Sequence, residues 1–252
     1  MNTEENISII LPNFNSSKFL EKTINSIVNQ TFKNWKLIII DDCSDFETIK
    51  ILKKYEKFEK IKITYLEKNK GAAYCRNLAL KSSKSDYVAF IDSDDLWISE
   101  KLENQLNFMK KNNYKFTYTY YDAFKDSKIS SVRTVKPREK YNFKNFIKDT
   151  SIATSTMMIK GELARKFEFT DTKICEDYFY KCCMLKEIDY AHCLNQSLTL
   201  YRIRKDSMQS NKIRNLYWIW KINKEFNRFN FLDNLKSVSS ISFSSLKKYG
   251  LK

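Results

Sequence analysis

The first hundred residues switch repeatedly between two hydrophobic periodicities. Ile7-Ser8-Ile9-Ile10-Leu11 is a short apolar run closed by Pro12, the pattern of a strand buried on both faces of a parallel sheet. Phe19, Leu20, Thr23, Ile24, Ile27 and Val28 then recur on one helical face, with Ser16 or Ser17 as the expected cap. Residues 37–40 form a second apolar run that enters Asp41-Asp42 directly. Ile49, Leu52 and Lys53 mark another helix, 61–66 a third strand, 72–80 a helix, and 87–91 a fourth strand ending at Asp92. Strands alternating with helices in this way predict a parallel sheet with right-handed crossovers.

The pattern weakens after residue 100. Residues 116–120 alternate and predict one further strand, whereas 122–150 are polar, charged and poorly patterned, and are expected to form a loop. Glu176-Asp177 precede Tyr178, Phe179, Cys182, Cys183 and Lys186, an i, i+3, i+4 helical spacing. Near the end Ile219, Ile222, Phe226 and Phe229 are spaced 3, 4, 3, with Lys221, Lys224 and Arg228 interleaved and Trp218 and Trp220 nearby. Such a stripe either lies in an anionic membrane interface or packs on the main domain, and the sequence leaves both open.

Composition removes whole classes of chemistry. The 252 residues suit one α/β domain or two fused lobes, and at 42% hydrophobic the chain is globular. The glycines are Gly71, Gly161 and Gly250, so no Rossmann fingerprint, P-loop or nucleophile elbow can form. A single histidine, His192, cannot build a multi-histidine metal site and is expected to be structural. Six cysteines without a C-x-x-C fit a reducing cytosol. The start of the chain lacks a signal-peptide pattern, and no apolar run reaches the roughly 18 to 20 residues of a membrane span. The expectation is a soluble or peripheral protein.

The net charge of +15 raises nucleic acid as a partner, but only eight of the 45 basic residues are Arg, the residue best suited to bidentate phosphate and base contacts. Residues 205–252 carry ten basic and three acidic side chains, so nearly half the excess lies in the tail. A nucleic-acid partner is not expected.

Ligands of open α/β sheets bind at the carboxyl ends of the strands. That rule selects residues 12–15, Asp41-Asp42, and Asp92-Ser93-Asp94-Asp95. Any one of the five carboxylates could cap a helix or face solvent; the whole set is harder to explain that way. Clustered carboxylates raise one another's pKa values unless a cation sits among them. The segment from Asp92 to Asp95 therefore reads as a divalent-metal site, with Asp92 and Asp94 facing the ion on a turn and Asp95 capping a helix that begins near Ser99. Carboxylate ligands favour Mg²⁺ or Mn²⁺, whose shells are commonly completed by substrate phosphates, as in a nucleoside diphosphate.

These residues also resemble a family. Residues 8–15, Asn29-Gln30-Thr31-Phe32, Ile40-Asp41-Asp42-Cys43-Ser44-Asp45, Asn69-Lys70-Gly71, Ala73-Tyr74-Cys75-Arg76-Asn77 and Phe90-Ile91-Asp92-Ser93-Asp94-Asp95 occur in the order seen in family 2 glycosyltransferases. Cys175-Glu176-Asp177-Tyr178 and a late loop with Tyr201-Arg202 and Ser207 extend the match across roughly residues 6 to 210. The resemblance implies the α/β GT-A fold: a mostly parallel, Rossmann-like central sheet flanked by helices. Residues 1–100 would bind the nucleotide-sugar, 101–210 the acceptor and the base, and 211–252 form a basic aromatic helical tail.

It also implies roles. Phe14 would stack on uracil, Asp42 would accept its N–H, and Pro12 would let backbone groups meet the base; Asn15, Asp41, Lys70, Gly71 and Ser93 complete the implied donor site. Asp92 and Asp94 would lie at the ribose and at the metal, with Asp95 still a candidate ligand. Arg76 would meet phosphate or donor sugar, or instead form an ion pair with one of the aspartates. Asp177 would be the general base of an inverting displacement, with Glu176 the fallback; the plainer reading is an acidic pair that suits a helix N-terminus. Acceptor specificity is expected in 122–150 and near Thr154-Ser155-Thr156-Met157-Met158. Two positions depart from the family: Cys43 replaces glycine and Cys75 alanine, and Cys43 is expected to fit unstrained if its φ is negative.

The implied activity is transfer of a hexose from a UDP-sugar to a glycan or lipid-linked glycan acceptor in lipopolysaccharide, capsule or other bacterial surface-glycan synthesis. The expected location is the cytoplasm, peripheral at the cytoplasmic face of the inner membrane. The absence of Q-x-x-R-W favours single additions over polymer extrusion. A non-catalytic glycan- or sugar-nucleotide-binding protein on the same fold is the alternative. Donor sugar, acceptor, linkage and oligomeric state are not legible.

Overall fold

The apolar runs become the inner strands of one ten-stranded sheet. The computed structural model describes residues 5–125, 128–172, 174–204 and 212–249. Strands β1 (Ile7–Asn13), β2 (Trp35–Asp41), β3 (Ile61–Tyr65) and β4 (Tyr87–Phe90) lie in the order β3-β2-β1-β4, all parallel. Ile7, Ile9, Ile10 and Leu11 are wholly buried because helices cover both faces. Ile9, Leu37 and Ile39 pack with residues of α1 (Leu20–Val28) and α2 (Phe46–Lys53), while Ile10, Ile38 and Phe90 pack with those of α3 (Ala72–Ser82). Each such side chain contributes roughly 1.5–3 kcal/mol on burial. The register sets Asn13 beside Asp41, so two strand ends finish level.

Beyond β4 the sheet is mixed. It continues through β9 (Met158–Lys160), β6 (Phe116–Lys125), β10 (Ala191–Arg202) and β5 (Leu96–Trp97). β7 (Lys128–Val135) pairs with β6, and β8 (Lys140–Tyr141) with β10. The expected loop over 122–150 is thus replaced by the end of β6, by β7 and β8, and by the short helix α5 (Phe143–Phe146). An edge strand can carry lysines and arginines without losing its ladder, and such charge masks it in a hydrophobicity pattern. β10 is hidden for another reason. Its register with β6 shifts between Leu194 and Ser197 and again between Ser197 and Thr199, which breaks the alternation. Tyr201-Arg202, expected in a loop, close this strand; Ser207 lies outside the described residues.

Two expected caps are not made. Phe19 occupies the N-cap of α1, and the Ser16 hydroxyl instead donates to Asn13. After the acidic segment the chain first forms β5, and α4 (Lys101–Asn112) begins behind Glu100 without any side-chain cap from Asp95.

The remaining helices are α6 (Gly161–Lys166), α7 (Glu176–Glu187), α8 (Lys212–Glu225) and α9 (Phe231–Tyr249). Ile219, Ile222 and Ile241 join the main core, and Phe229 meets the Phe143 ring edge-on. The buried amide of Asn223 donates to Asn234 and Ser237 and accepts from Tyr178 Oη on α7 at 2.8 Å. Of the two readings of the tail stripe, its Ile219–Ile222 portion therefore packs on the domain. His192 stacks flat on Tyr114 at 3.6 Å, consistent with a structural residue, and Cys182 is buried in the core.

Candidate active site

The first wall of the site is built where β1 and β2 end. Asn13 Nδ2 donates to Asp41 Oδ1 at 2.6 Å, and Asp41, fully buried, also accepts the Ser44 N–H at 3.0 Å. Asp42 receives the N–H groups of Lys70 (2.6 Å) and Gly71 (2.8 Å), tying β2 to the start of α3. Gly71 has φ 86, which aims its amide at that carboxylate without cost. Cys43 has φ 64, so the condition for an unstrained fit, a negative φ, is not met. The chain must turn back for Ser44 to reach Asp41 and Asn15 and for Asp45 N–H to reach Asn15 Oδ1 at 2.7 Å. A left-handed residue does this, at roughly 1–2 kcal/mol when it is not glycine. Phe14, Asn15 and Lys70 stand exposed on this wall, Pro12 is half-buried, and Asp41 is sealed behind it.

The second wall is the segment after β4. Arg76, on α3 and only 5% exposed, donates to Asp92 Oδ1 and to Glu176 Oε1, both at 2.7 Å, with its guanidinium over the Phe169 ring. Of the two readings of Arg76, the ion pair is formed. Burial works against its charge, but Asp92 and Glu176 hold it above the usual arginine range. Asp94 pairs with Arg204 at 3.2 Å; burial and the charge of Asp92 push its carboxyl up. Asp95 is 1% exposed and accepts from Ser155 Oγ (2.5 Å) and the Arg202 N–H (2.9 Å). Burial, then Asp94 and Asp92, raise it well above the carboxylate range. Ser93, partly exposed, has its carbonyl within 3.0 Å of the Thr23 hydroxyl. Among the described residues, no three His, Cys, Asp or Glu side chains gather as a metal-binding group.

The second wall meets Asp177 through a single 3₁₀ turn, Thr154–Thr156. Ser155 Oγ donates to Asp95 and accepts the Asp92 N–H at 3.0 Å, while its carbonyl takes Trp97 Nε1 at 2.8 Å. Thr154 Oγ1 donates to Asp177 Oδ2 at 3.0 Å. All of Thr154 to Met158 are buried, and the segment braces Asp92, Asp95 and Asp177 from within. Lys181, also buried, donates to Asp177 Oδ2 at 2.6 Å and to the Ile152 carbonyl at 2.8 Å. Thr154 and Ser155 were expected from the sequence near the acceptor and not as partners of the acids; Lys181 and Arg204 were not singled out as site residues. Three consecutive hydroxyl residues before an apolar run were the only visible signal.

Burial alone would raise the Asp177 carboxyl, but Lys181, Arg76 and Thr154 override it and hold the group at about 2. Its folded value lies below the ordinary aspartate value. Its ion pair therefore stabilises the fold above that value and is lost as pH falls towards 2. Burial moves Glu176 upward, against the pull of Arg76. Removing the brace gives a first prediction. Ser155→Ala should cost roughly 1–3 kcal/mol, because buried Asp95 loses a donor. Denaturant titration should show a lower midpoint at unchanged slope; an unshifted midpoint would remove Ser155 from this role.

A half-parallel sheet with acids at its strand ends, continued by a mixed half that carries an acidic helix start, is the architecture of a GT-A glycosyltransferase. The model described as Glycosyl transferase family 2 matches residues 8–167, and the chain belongs to this family. It is 34% identical to a Bacillus subtilis (strain 168) protein named for teichuronic acid biosynthesis, TuaG, over 90% of each chain. It is also 34% identical to the Escherichia coli UDP-Glc:alpha-D-GlcNAc-diphosphoundecaprenol beta-1,3-glucosyltransferase WfgD, over 87% of this chain and 86% of that one. These relatives are transferases of surface-glycan synthesis. Among solved structures, S. aureus TarS 1–349 in complex with UDP-GlcNAc superposes with a TM-score of 0.73 at 20% identity, over 96% of this chain and 73% of that one. The mannosyltransferase PcManGT of Pyrobaculum calidifontis, in complex with GDP-Man and Mn²⁺, gives 0.71 at 14% identity, over 99% and 72%. Both likenesses show the fold. Glu176, Asp177 and Arg202 lie beyond the segment matched by the family model.

Proposed function

We propose that this glycosyltransferase is inverting and metal-dependent, and moves a hexose from a UDP-sugar to a lipid-linked glycan acceptor during synthesis of lipopolysaccharide, capsule or another surface glycan. One observation carries the reading: buried Arg76 joins the strand-end acid Asp92 to Glu176, placing Asp177 next to the donor-side acids. Phe14, 49% exposed, offers a face for the uracil. Asp42 takes one N–H on each oxygen and keeps lone pairs for a base N–H. Asn15, Lys70, Gly71 and Ser93 would line the donor, with Asp41 and Pro12 shaping the wall from behind.

Asp92 and Asp94 fit a hard divalent ion, Mn²⁺ or Mg²⁺: both are partly exposed carboxylates, and the upward shift of Asp94 is what a cation would relieve. Asp95 has both oxygens committed inward and acts as their brace. Such an ion supplies positive charge against the departing diphosphate. Asp177 takes the proton of the acceptor hydroxyl while that oxygen attacks the anomeric carbon, and a single displacement needs no protein nucleophile.

A lipid-linked acceptor places the work at a membrane surface, with the protein peripheral at the cytoplasmic face. No helix among the described residues is long and apolar enough to cross a membrane. The alternative, a non-catalytic binder on the same fold, is disfavoured by the complete set of acids. Isothermal titration should show UDP binding that strengthens with Mn²⁺, and a panel of UDP-sugars should show metal-dependent UDP release. No UDP binding with Mn²⁺ present would overturn the proposal; binding without turnover on any UDP-sugar and acceptor would favour the binder.

A further inference from the structure

The tail helices turn apolar side chains to solvent as well as to the core. On α9, Asn234 and Ser237 face inward and are 1% exposed, beside Ile241. Leu232, Leu235, Ser239 and Phe243, spaced 3, 4, 4, share the opposite face by helical geometry. Phe231 (67%), Leu232 (64%) and Phe243 (72%) are among the most exposed large side chains. Of twelve exposed large apolar side chains among the described residues, seven fall between Ile213 and Phe243. Scattered single exposures need no explanation; a concentration on one pair of helices does. The polar inner face is already satisfied, because Asn223, Asn234 and Ser237 bond one another and Ser237 Oγ donates to the Ile147 carbonyl. The outer face is therefore the one left to meet something else.

We propose that this outer face of α8 and α9 rests on an anionic phospholipid bilayer, with Tyr217, Phe231, Leu232, Leu235 and Phe243 entering the headgroup boundary. Charge selects this occupant. Arg214, Lys224, Arg228 and Lys236 are exposed on or between the same helices, against two exposed acids, Glu225 and Asp233. A second copy of the chain would bring the same basic face and a net charge of +15 against its like. An anionic membrane attracts the lysines and arginines while the apolar side chains bury into it, the two contributions of an interfacial helix. The Trp220 ring, edge-on to Phe231 at 5.5 Å, suits the same boundary. The surface differs from the one expected from sequence. The Ile219–Ile222 stripe is spent on the core, and α9 supplies most of the membrane face. The inference rests on the lipid-linked acceptor proposed above and adds a consequence. Asn223 ties this pair of helices to Tyr178, directly after Asp177, so the bilayer would lie against the elements that hold the base.

The test uses the full chain and sedimentation with two kinds of vesicle, phosphatidylcholine alone and an equal mixture with phosphatidylglycerol. Binding is expected to the mixed vesicles, to weaken with salt, and to be absent on phosphatidylcholine. Leu232→Ser, Leu235→Ser and Phe243→Ser together should lower binding at least about tenfold, with UDP binding and the unfolding midpoint unchanged, since these side chains are exposed. Replacing Lys224, Arg228 and Lys236 with Gln should also weaken it. Equal binding to both vesicles, undiminished binding by the serine variant, or a lipid-free dimer abolished by the same serines would each overturn the proposal. Protein that binds UDP but no vesicle overturns this surface alone and leaves the transferase reading standing.

Discussion

Asp177→Asn is expected to lower turnover by at least about a hundredfold, the scale of lost acid–base catalysis, while UDP binding is kept. The substitution preserves shape and the Thr154 hydrogen bond but removes the carboxylate proposed to accept the proton. A carboxylate held at about 2 by Lys181 and Arg76 is a weak base towards a resting hydroxyl. It need not be a strong one. As the acceptor oxygen bonds to the anomeric carbon its proton becomes strongly acidic, and a fixed, ionised carboxylate within reach suffices. The buried Lys181 ammonium keeps Asp177 ionised and fixes one of its oxygens. Steady-state kinetics on the variant, beside calorimetric UDP titration, checks the prediction. Turnover near that of the unmodified enzyme would sink the assignment; a collapse in Glu176→Gln with Asp177→Asn active would move the base by one residue.

Arg76→Met should be the most damaging substitution to the fold, costing about 3–5 kcal/mol, the range for breaking a buried ion pair from one side. Asp92 is partly exposed and can recover some hydration, which favours the lower end. Glu176 is well buried and cannot. The double variant Arg76→Met with Glu176→Gln should regain part of the loss, because it removes the stranded charge as well as its partner. Urea unfolding of the three variants measures both quantities. A loss under about 1 kcal/mol for Arg76→Met would class the contact with surface pairs and would contradict its place at the centre of the site.

The sequence carried the strand-end acids well and the turn that braces them poorly, for a physical reason. Strands buried on both faces need unbroken apolar runs, so β1, β2 and β4 and their acidic ends could be read directly. Cys43 shows the limit of that reading. A local pattern placed it correctly after the acids, yet its positive φ depends on where Ser44 and Asp45 must bond. Asp95 shows it again: next to Asp94 and three positions from Asp92, both partly exposed, it is turned inward by Ser155 and Arg202, 60 and 107 residues away. No local rule sees such distances. The 122–150 region failed differently, because β7 is an edge strand whose charged residues obscured its pairing with β6.

By itself, then, the sequence determined a parallel α/β half with acids at its strand ends, the exclusion of glycine-loop and histidine-metal chemistry, and an acidic pair opening a later helix. These follow from burial, periodicity and residue inventory, which act over a few positions. Tertiary structure alone decided which acids face outward, that Arg76 binds Asp92 to Glu176, that one buried turn ties Asp92 and Asp95 to Asp177, and which face of the tail is spent on the core. Those outcomes depend on partners brought together by the sheet, and the tail's share of the +15 charge acquired an apolar face to sit beside only when α9 showed that side to solvent.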